Sequence, residues 1–251
     1  MGVFATLIAL TAPFAASAVT LAELDDAQAR LQYGFLTADT RAIQAVLAEI
    51  AEYQADARLA PTKAYQLAYG HWKLAQIYAE ANHRSGRGSA GLGAQAARSC
   101  AEHARAARTA DSRMAEAFAL EAVCEGMPRG YLRLNGLAGS CARHKLLRTA
   151  MSLEPTNPRV LLVEAICLGE KSAGSDIARW RKVVDAFVAA PPGGVGKPDW
   201  GEPEAWVLLG ESHLQRGETV SAREAIERAL VLAPDYTLAR ALLDELAARA
   251  R

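Results

Sequence analysis

Residues 206–234 read WVLLGESHLQRGETVSAREAIERALVLAP, and the fold follows from this stretch. Two segments, 203–216 and 219–232, each carry apolar residues at the three-and-four spacing of an amphipathic helix, with Gly217 between them. Small Gly210, Ala222 and Ala229 allow the two helices to approach closely, while Trp206, Leu209 and Ile226 fill the space beside them. Pro234 comes just after the last turn, where proline ends a helix at little cost.

The spacing of Trp206, Leu209, Gly210, His213, Gly217, Ala222, Ile226, Ala229 and Pro234 resembles a tetratricopeptide repeat, with His213 in place of the usual tyrosine. The matching segment has about the 34-residue length of one such repeat. The resemblance implies a right-handed α-solenoid built from helix pairs, and it implies protein or peptide partners. Periodicity shows only a curved helical surface.

The remainder of the chain reads as helix after helix. Thr20 and Glu23 form a capping box for a first helix over 20–33, and Ile43, Val46, Leu47 and Ile50 share one face of a second over 40–57. Further helices fit 61–82, 94–110, 114–126, 138–152, 158–170 and 175–190, followed by the pair already described and a last one over 236–250. The expectation is an all-α stack of five helix pairs plus a C-terminal capping helix. In that cap Leu238, Leu242 and Leu246 face inward, and Arg240, Asp244 and Arg251 outward, as an open stack requires.

A second internal repeat supports the stack. Ser99-Cys100-Ala101-Glu102-His103 recurs as Ser140-Cys141-Ala142-Arg143-His144, and Leu120-Glu121-Ala122-Val123-Cys124 recurs as Val163-Glu164-Ala165-Ile166-Cys167. The offsets, 41 and 43 residues, exceed a standard repeat, so insertions are expected as loops on one edge. His83–Ala94 and Met127–Ser140 are the candidate loops. They bring Arg84, Arg87, Arg129, Tyr131 and Arg133 together as a docking edge for an acidic or extended partner, against the alternative of solvated connectors. The segment Pro191–Pro203 joins pairs on the opposite edge, with Trp200 as a lid over adjacent helices.

Composition narrows the function. Of 251 residues 51% are apolar but only 6% aromatic, which suits helices packed through alanine. Lys+Arg and Asp+Glu both number 28, and this neutral balance gives no support to a nucleic-acid partner. Residues 3–16 are apolar and precede a small-x-small site at Ala16-Ser17-Ala18, so residues 1–18 read as a cleaved export signal. That leaves 19–251 as one solenoid domain, periplasmic or secreted and with no membrane span. The first eighteen residues hold no lysine or arginine, so an uncleaved anchor or a buried first helix are the alternatives.

Four cysteines carry the sharpest chemistry. An exported chain with Cys100, Cys124, Cys141 and Cys167 suggests two disulfides, with three possible connectivities. Cys124–Cys141, between the antiparallel helices of one pair, is favoured over the repeat-symmetric Cys100–Cys141 and Cys124–Cys167. A metal reading competes: Cys100 with His103, and Cys141 with His144, each share a helix face and together offer two sulfurs and two nitrogens.

Glu121 and Glu164 take the position that Leu209 holds in the clean repeat, where burial is expected. A buried carboxylate needs a partner, and Arg105, Arg108, His144 and Arg148 are candidates. An enzyme would have to join Glu121, Glu164 and the histidines in one cleft. Tyr65, Tyr69 and Trp72 share a helix face, either as a core stripe or, with Trp72 foremost, as a grip for a peptide. Gly86–Gly91 spells a dinucleotide fingerprint but follows a helix and lacks a βαβ unit, so no cofactor is expected. The reading is a non-catalytic protein-binding scaffold, with a small-molecule- or metal-binding helical protein as the alternative.

Overall fold

The structure, a computed structural model, describes residues 18–85, 90–127, 141, 145–169, 173–191, 194 and 196–249. The expected export signal, apart from Ala18, therefore lies outside the described residues. Among those described the fold is all-α: α1 (Leu21–Leu36), α2 (Thr40–Glu52), α3 (Ala60–Ser85), α4 (Ala90–Ala110), α5 (Ala115–Gly126), α6 (Lys145–Leu153), α7 (Pro158–Leu168), α8 (Ala173–Ala189), α9 (Glu202–Gln215), α10 (Thr219–Leu232) and α11 (Thr237–Arg249). Consecutive helices pack in pairs, and α1, α3, α5 and α7 follow one another along the stack.

Local chemistry sets the ends of these helices. Thr20 accepts a hydrogen bond from the Glu23 amide while Glu23 accepts one from the Thr20 amide, completing the expected capping box. Asp39 and Asn157 cap α2 and α7 through their side-chain oxygens. The second helix is shorter than its periodicity suggested. Tyr53 turns extended and the Gln54 carbonyl accepts from the Val19 amide, after which Asp56 turns the chain into α3 by accepting from the Arg58 and Leu59 amides.

The insertion at His83–Ala94 is not the loop expected. Helix α3 runs on to Ser85 and α4 already starts at Ala90, so the extra residues lengthen a helix pair. The physical reason is the glycine and alanine content at the start of α4. A Cβ on Gly93 would stand in ordinary contact with Tyr78, so the two helices lie close enough to stay in register. Gly210 plays the closer version of this role in the last pair, where an added Cβ would meet Ile226 Cγ1 at 2.7 Å.

The stack is not open at its ends. The ring of Phe35 in α1 packs on Tyr236 before α11, Thr237 donates a hydrogen bond to the Leu36 carbonyl at 3.1 Å, and Asp25 accepts from the Gly196 amide. Leu36 shares an apolar cluster with Val207, Ile226 and Leu246. Helix α11 does present a capping pattern, with Leu246 buried, Leu238 and Leu242 half-buried, and Arg240 and Asp244 exposed. Its first turn nevertheless seals against the N-terminal pair. No described helix is long and apolar enough to cross a membrane.

Candidate functional site

Closure of the stack brings α1, α3, α7, α9 and the start of α11 around one cavity of about 430 Å³. Its walls are apolar: Phe35, Trp72, Ile77, Leu162, Ile166, Val207, Leu208 and Tyr236. Four other groups give it chemistry: Lys73, Glu204, Gln76 and Glu80.

Lys73 continues the face of Tyr65 and Tyr69 one further turn along α3, and its side chain is fully buried. Its ammonium donates to Glu204 Oε1 at 2.9 Å across the closed stack. The same nitrogen lies 4.0 Å from the Phe35 ring centroid and 4.2 Å from that of Trp72, with Tyr69 and Trp200 rings at 5.4 Å. An ammonium gains from the negative faces of such rings, most where water is excluded. Burial pulls the Lys73 ammonium below the ordinary lysine value, and Glu204 opposes that shift. Gln32 donates to both oxygens of Glu204 and accepts from the Tyr69 hydroxyl, so the pair sits inside a hydrogen-bonded frame. Burial raises the Tyr69 and Tyr236 hydroxyls well above the usual tyrosine range.

Gln76, one turn further along α3, is buried with its Oε1 unpartnered.

A second, larger groove of about 1300 Å³ runs between α7, α8, the segment before α9, and the end of α10. Arg159 lies within it, stacked near Phe187 and Trp200 and 3.8 Å from Asp199. Lys182, Asp185 and Lys197 also line it.

The predicted site residues are distributed unevenly. Trp72, Tyr65 and Tyr69 form the core stripe and no open peptide grip, since each is almost wholly buried. One side of Trp72 borders the cavity. Trp200 is core as well: its indole nitrogen donates to the Tyr65 hydroxyl at 2.8 Å and its ring packs on Tyr69 and Trp72. Arg87, Arg129, Tyr131, Arg133 and His144 lie outside the described residues, as does the side chain of Arg84.

Glu121 is buried as expected, and Arg105 and Arg108 hold it, the former at 2.9 Å. Glu164 is half-buried on α7. Trp206, Leu209, Gly210, Ala222, Ile226 and Ala229 occupy the interface of α9 and α10 or its border. His213, in the tyrosine position, donates from Nδ1 to Glu218 Oε2, 2.6 Å away, and so ties the end of α9 to the start of α10.

The disulfide pairing differs from both arrangements anticipated. Cys100 joins Cys124, and Cys141 joins Cys167. Cys124 on α5 faces back toward α4, not forward to α6, because α4 is the helix laid directly against it; the two Cα atoms are 6.0 Å apart. The bridges are nonetheless equivalent, with sequence separations of 24 and 26, each tying one helix pair to the next. Oxidised sulfurs cannot ligate as thiolates, so the site of Cys100, His103, Cys141 and His144 falls. His103 instead stacks on His71, ring centroids 5.5 Å apart.

Sequence reasoning missed Lys73, Gln76, Glu204 and Tyr236. The available signal was a lysine continuing a buried tyrosine face and a glutamate four residues before Leu208. Neither pattern says that the two would meet.

Comparison with known families places a tetratricopeptide repeat at residues 203–236, the α9–α10 pair with its flanking turns. No curated protein matches the chain.

Proposed function

We propose that this chain is an exported, non-catalytic scaffold that holds a protein or peptide partner, with residues 1–18 removed on export and 19–251 acting as one domain. The tetratricopeptide repeat at 203–236, continuous with a stack of further helix pairs, carries the proposal. Two disulfides fit an oxidising compartment, periplasmic or extracellular. The partner lies in the groove beside Arg159, Phe187 and Lys182, with Arg84, Arg87, Arg129, Tyr131 and Arg133 forming a second docking edge. Glu121 held by two arginines supports a structural over an acid-base role. Neutral overall charge supports a protein over a nucleic-acid partner.

The test is site-specific photocrosslinking in the exported fraction. A photoreactive side chain at Ala186, which lines the groove, is compared with one at the exposed Val220 of α10. One discrete adduct at 186 and none at 220 supports docking in the groove. No adduct at 186, or the same products at both positions, rejects it.

A further inference from the structure

We infer that the groove between α7, α8 and the segment before α9 takes an extended, net-basic segment of the partner, and that Arg159 holds it by donating to a main-chain carbonyl. The inference rests on the docking reading above and adds the chemistry of what docks. A space of about 1300 Å³ exceeds the range of small-molecule pockets and suits several residues of chain. Leu153 and Leu232 line it with 40% and 39% of their surface exposed, so apolar contact is available beside the polar groups.

Arg159 is the donor with hydrogen bonds to give. Its guanidinium lies 5.8 and 5.9 Å from the ring centroids of Phe187 and Trp200, and its main-chain amide is bound by Asn157 at the start of α7. Its position is therefore set before anything binds. Asp199, its ion-pair partner, stands 3.8 Å away, beyond hydrogen-bond length, and is itself 83% exposed. Nε is enclosed without a partner, whereas the terminal nitrogens are neither hydrogen-bonded nor enclosed and so open on the groove that Arg159 lines.

Charge decides which acceptor answers. Among the described residues five carboxylates line the groove, Glu116, Glu154, Asp185, Asp199 and Glu202, against the three cations Arg159, Lys182 and Lys197. An anionic side chain brought to Arg159 would enter a surface that is acidic in sum. A main-chain carbonyl carries no net charge and meets no such opposition. An extended segment leaves its carbonyls free, whereas a helix spends them on its own amides. Glu154, Asp185 and Asp199 are exposed, so lysine or arginine side chains of the same segment find carboxylates open to them.

Fluorescence anisotropy of the purified full-length chain with three labelled peptides tests the inference: PKLPKVPKL, PQLPQVPQL and PELPEVPEL, in which proline keeps the backbone extended. The lysine peptide is expected to bind tightest and the glutamate peptide weakest, about five-fold or more apart at low ionic strength. That gap should close at roughly 1 M salt, where the Debye length is about 3 Å. Asp185→Lys combined with Asp199→Lys changes two exposed side chains and should reverse the order without disturbing the fold. Arg159→Leu keeps an apolar group against the rings and should weaken all three peptides alike, by about ten-fold, the equivalent of one hydrogen bond to a charged donor. Equal affinities, tightest binding by the glutamate peptide, no binding of any of the three, or an order unchanged in the double lysine variant overturns the inference. So does an Arg159→Leu variant that affects the glutamate peptide alone or none of them. Photocrosslinking from Ala186 reports separately on docking. An adduct there together with any of those results leaves the docked partner in place and removes the chemistry assigned to it, whereas the expected peptide order without an adduct removes the protein partner alone.

Discussion

The Lys73 ammonium and the Glu204 carboxylate meet at 2.9 Å although 131 residues separate them in the chain. Both are buried, and the contact joins α3 to α9 beside the place where the last helix pair returns to the first. Attraction between two desolvated charges is offset by the cost of removing them from water, so the pair secures geometry more than stability.

Breaking this pair on one side is expected to cost about 3 kcal/mol or more, because the surviving charge stays buried without a partner. Glu204→Gln and Lys73→Met should each show that loss in urea denaturation. Lys73→Met combined with Glu204→Leu should recover most of it. A double variant no more stable than the single ones would show that the pair does not act as a unit.

Acid should weaken the fold through His71. Burial, reinforced by the neighbouring His103, lowers its pKa from 6.5 to about 4. The unfolded chain therefore takes up a proton between these two values while the folded chain does not, and stability falls as pH falls through that window. The slope is roughly 1.4 kcal/mol per pH unit. His71→Gln should remove this component, so the difference between variant and wild-type unfolding should change between pH 6.5 and about 4 and stay constant above that range. Parallel profiles would exclude His71 as the source.

Peptide mapping under non-reducing conditions should recover Cys100 linked to Cys124 and Cys141 linked to Cys167. Each closes a loop of similar length, so replacing either pair by alanine should cost about 3 kcal/mol. Any peptide joining Cys124 to Cys141 would contradict the arrangement.

Gly210→Ala tests the closeness of α9 and α10. Alanine favours a helix over glycine by about 1 kcal/mol. The added methyl would, however, stand 2.7 Å from Ile226 Cγ1 and 3.3 Å from the Ala222 carbonyl, and overpacking of that kind costs about 1–3 kcal/mol. A lower melting temperature is expected. A rise in melting temperature would mean that the pair can separate freely.

Much of the architecture was legible before any coordinates. Among the described residues each expected helix appears within a few residues of where periodicity, caps and prolines indicated it, apart from the shorter α2 and the later-starting α6, because the signals that start and stop a helix are local. Burial of Glu121 against Arg105 and Arg108 was readable for the same reason: the partners lie on the adjacent helix, α4. The long α3–α4 pair was harder to read, since glycine and arginine between helices look alike whether a loop or a helix extension follows.

The candidate site was scarcely legible. Lys73 and Gln76 come from α3, Glu204 from α9 and Tyr236 from the turn before α11, and each in isolation looks like a surface or core residue of its own segment. Cysteine pairing was equally hidden, because register within a pair does not say which neighbouring helix lies nearer.

Helix identity, pairing of neighbours and the repeat at 203–236 are thus properties of the chain read in order, since hydrogen bonding and amphipathic spacing act over a few residues. Tertiary structure alone decided that the stack closes, that Lys73 finds Glu204, and that residues of α1, α3, α7, α9 and α11 line one cavity. Small rotations between successive pairs add up along a solenoid, and that sum, absent from any single repeat, sets which distant surfaces touch.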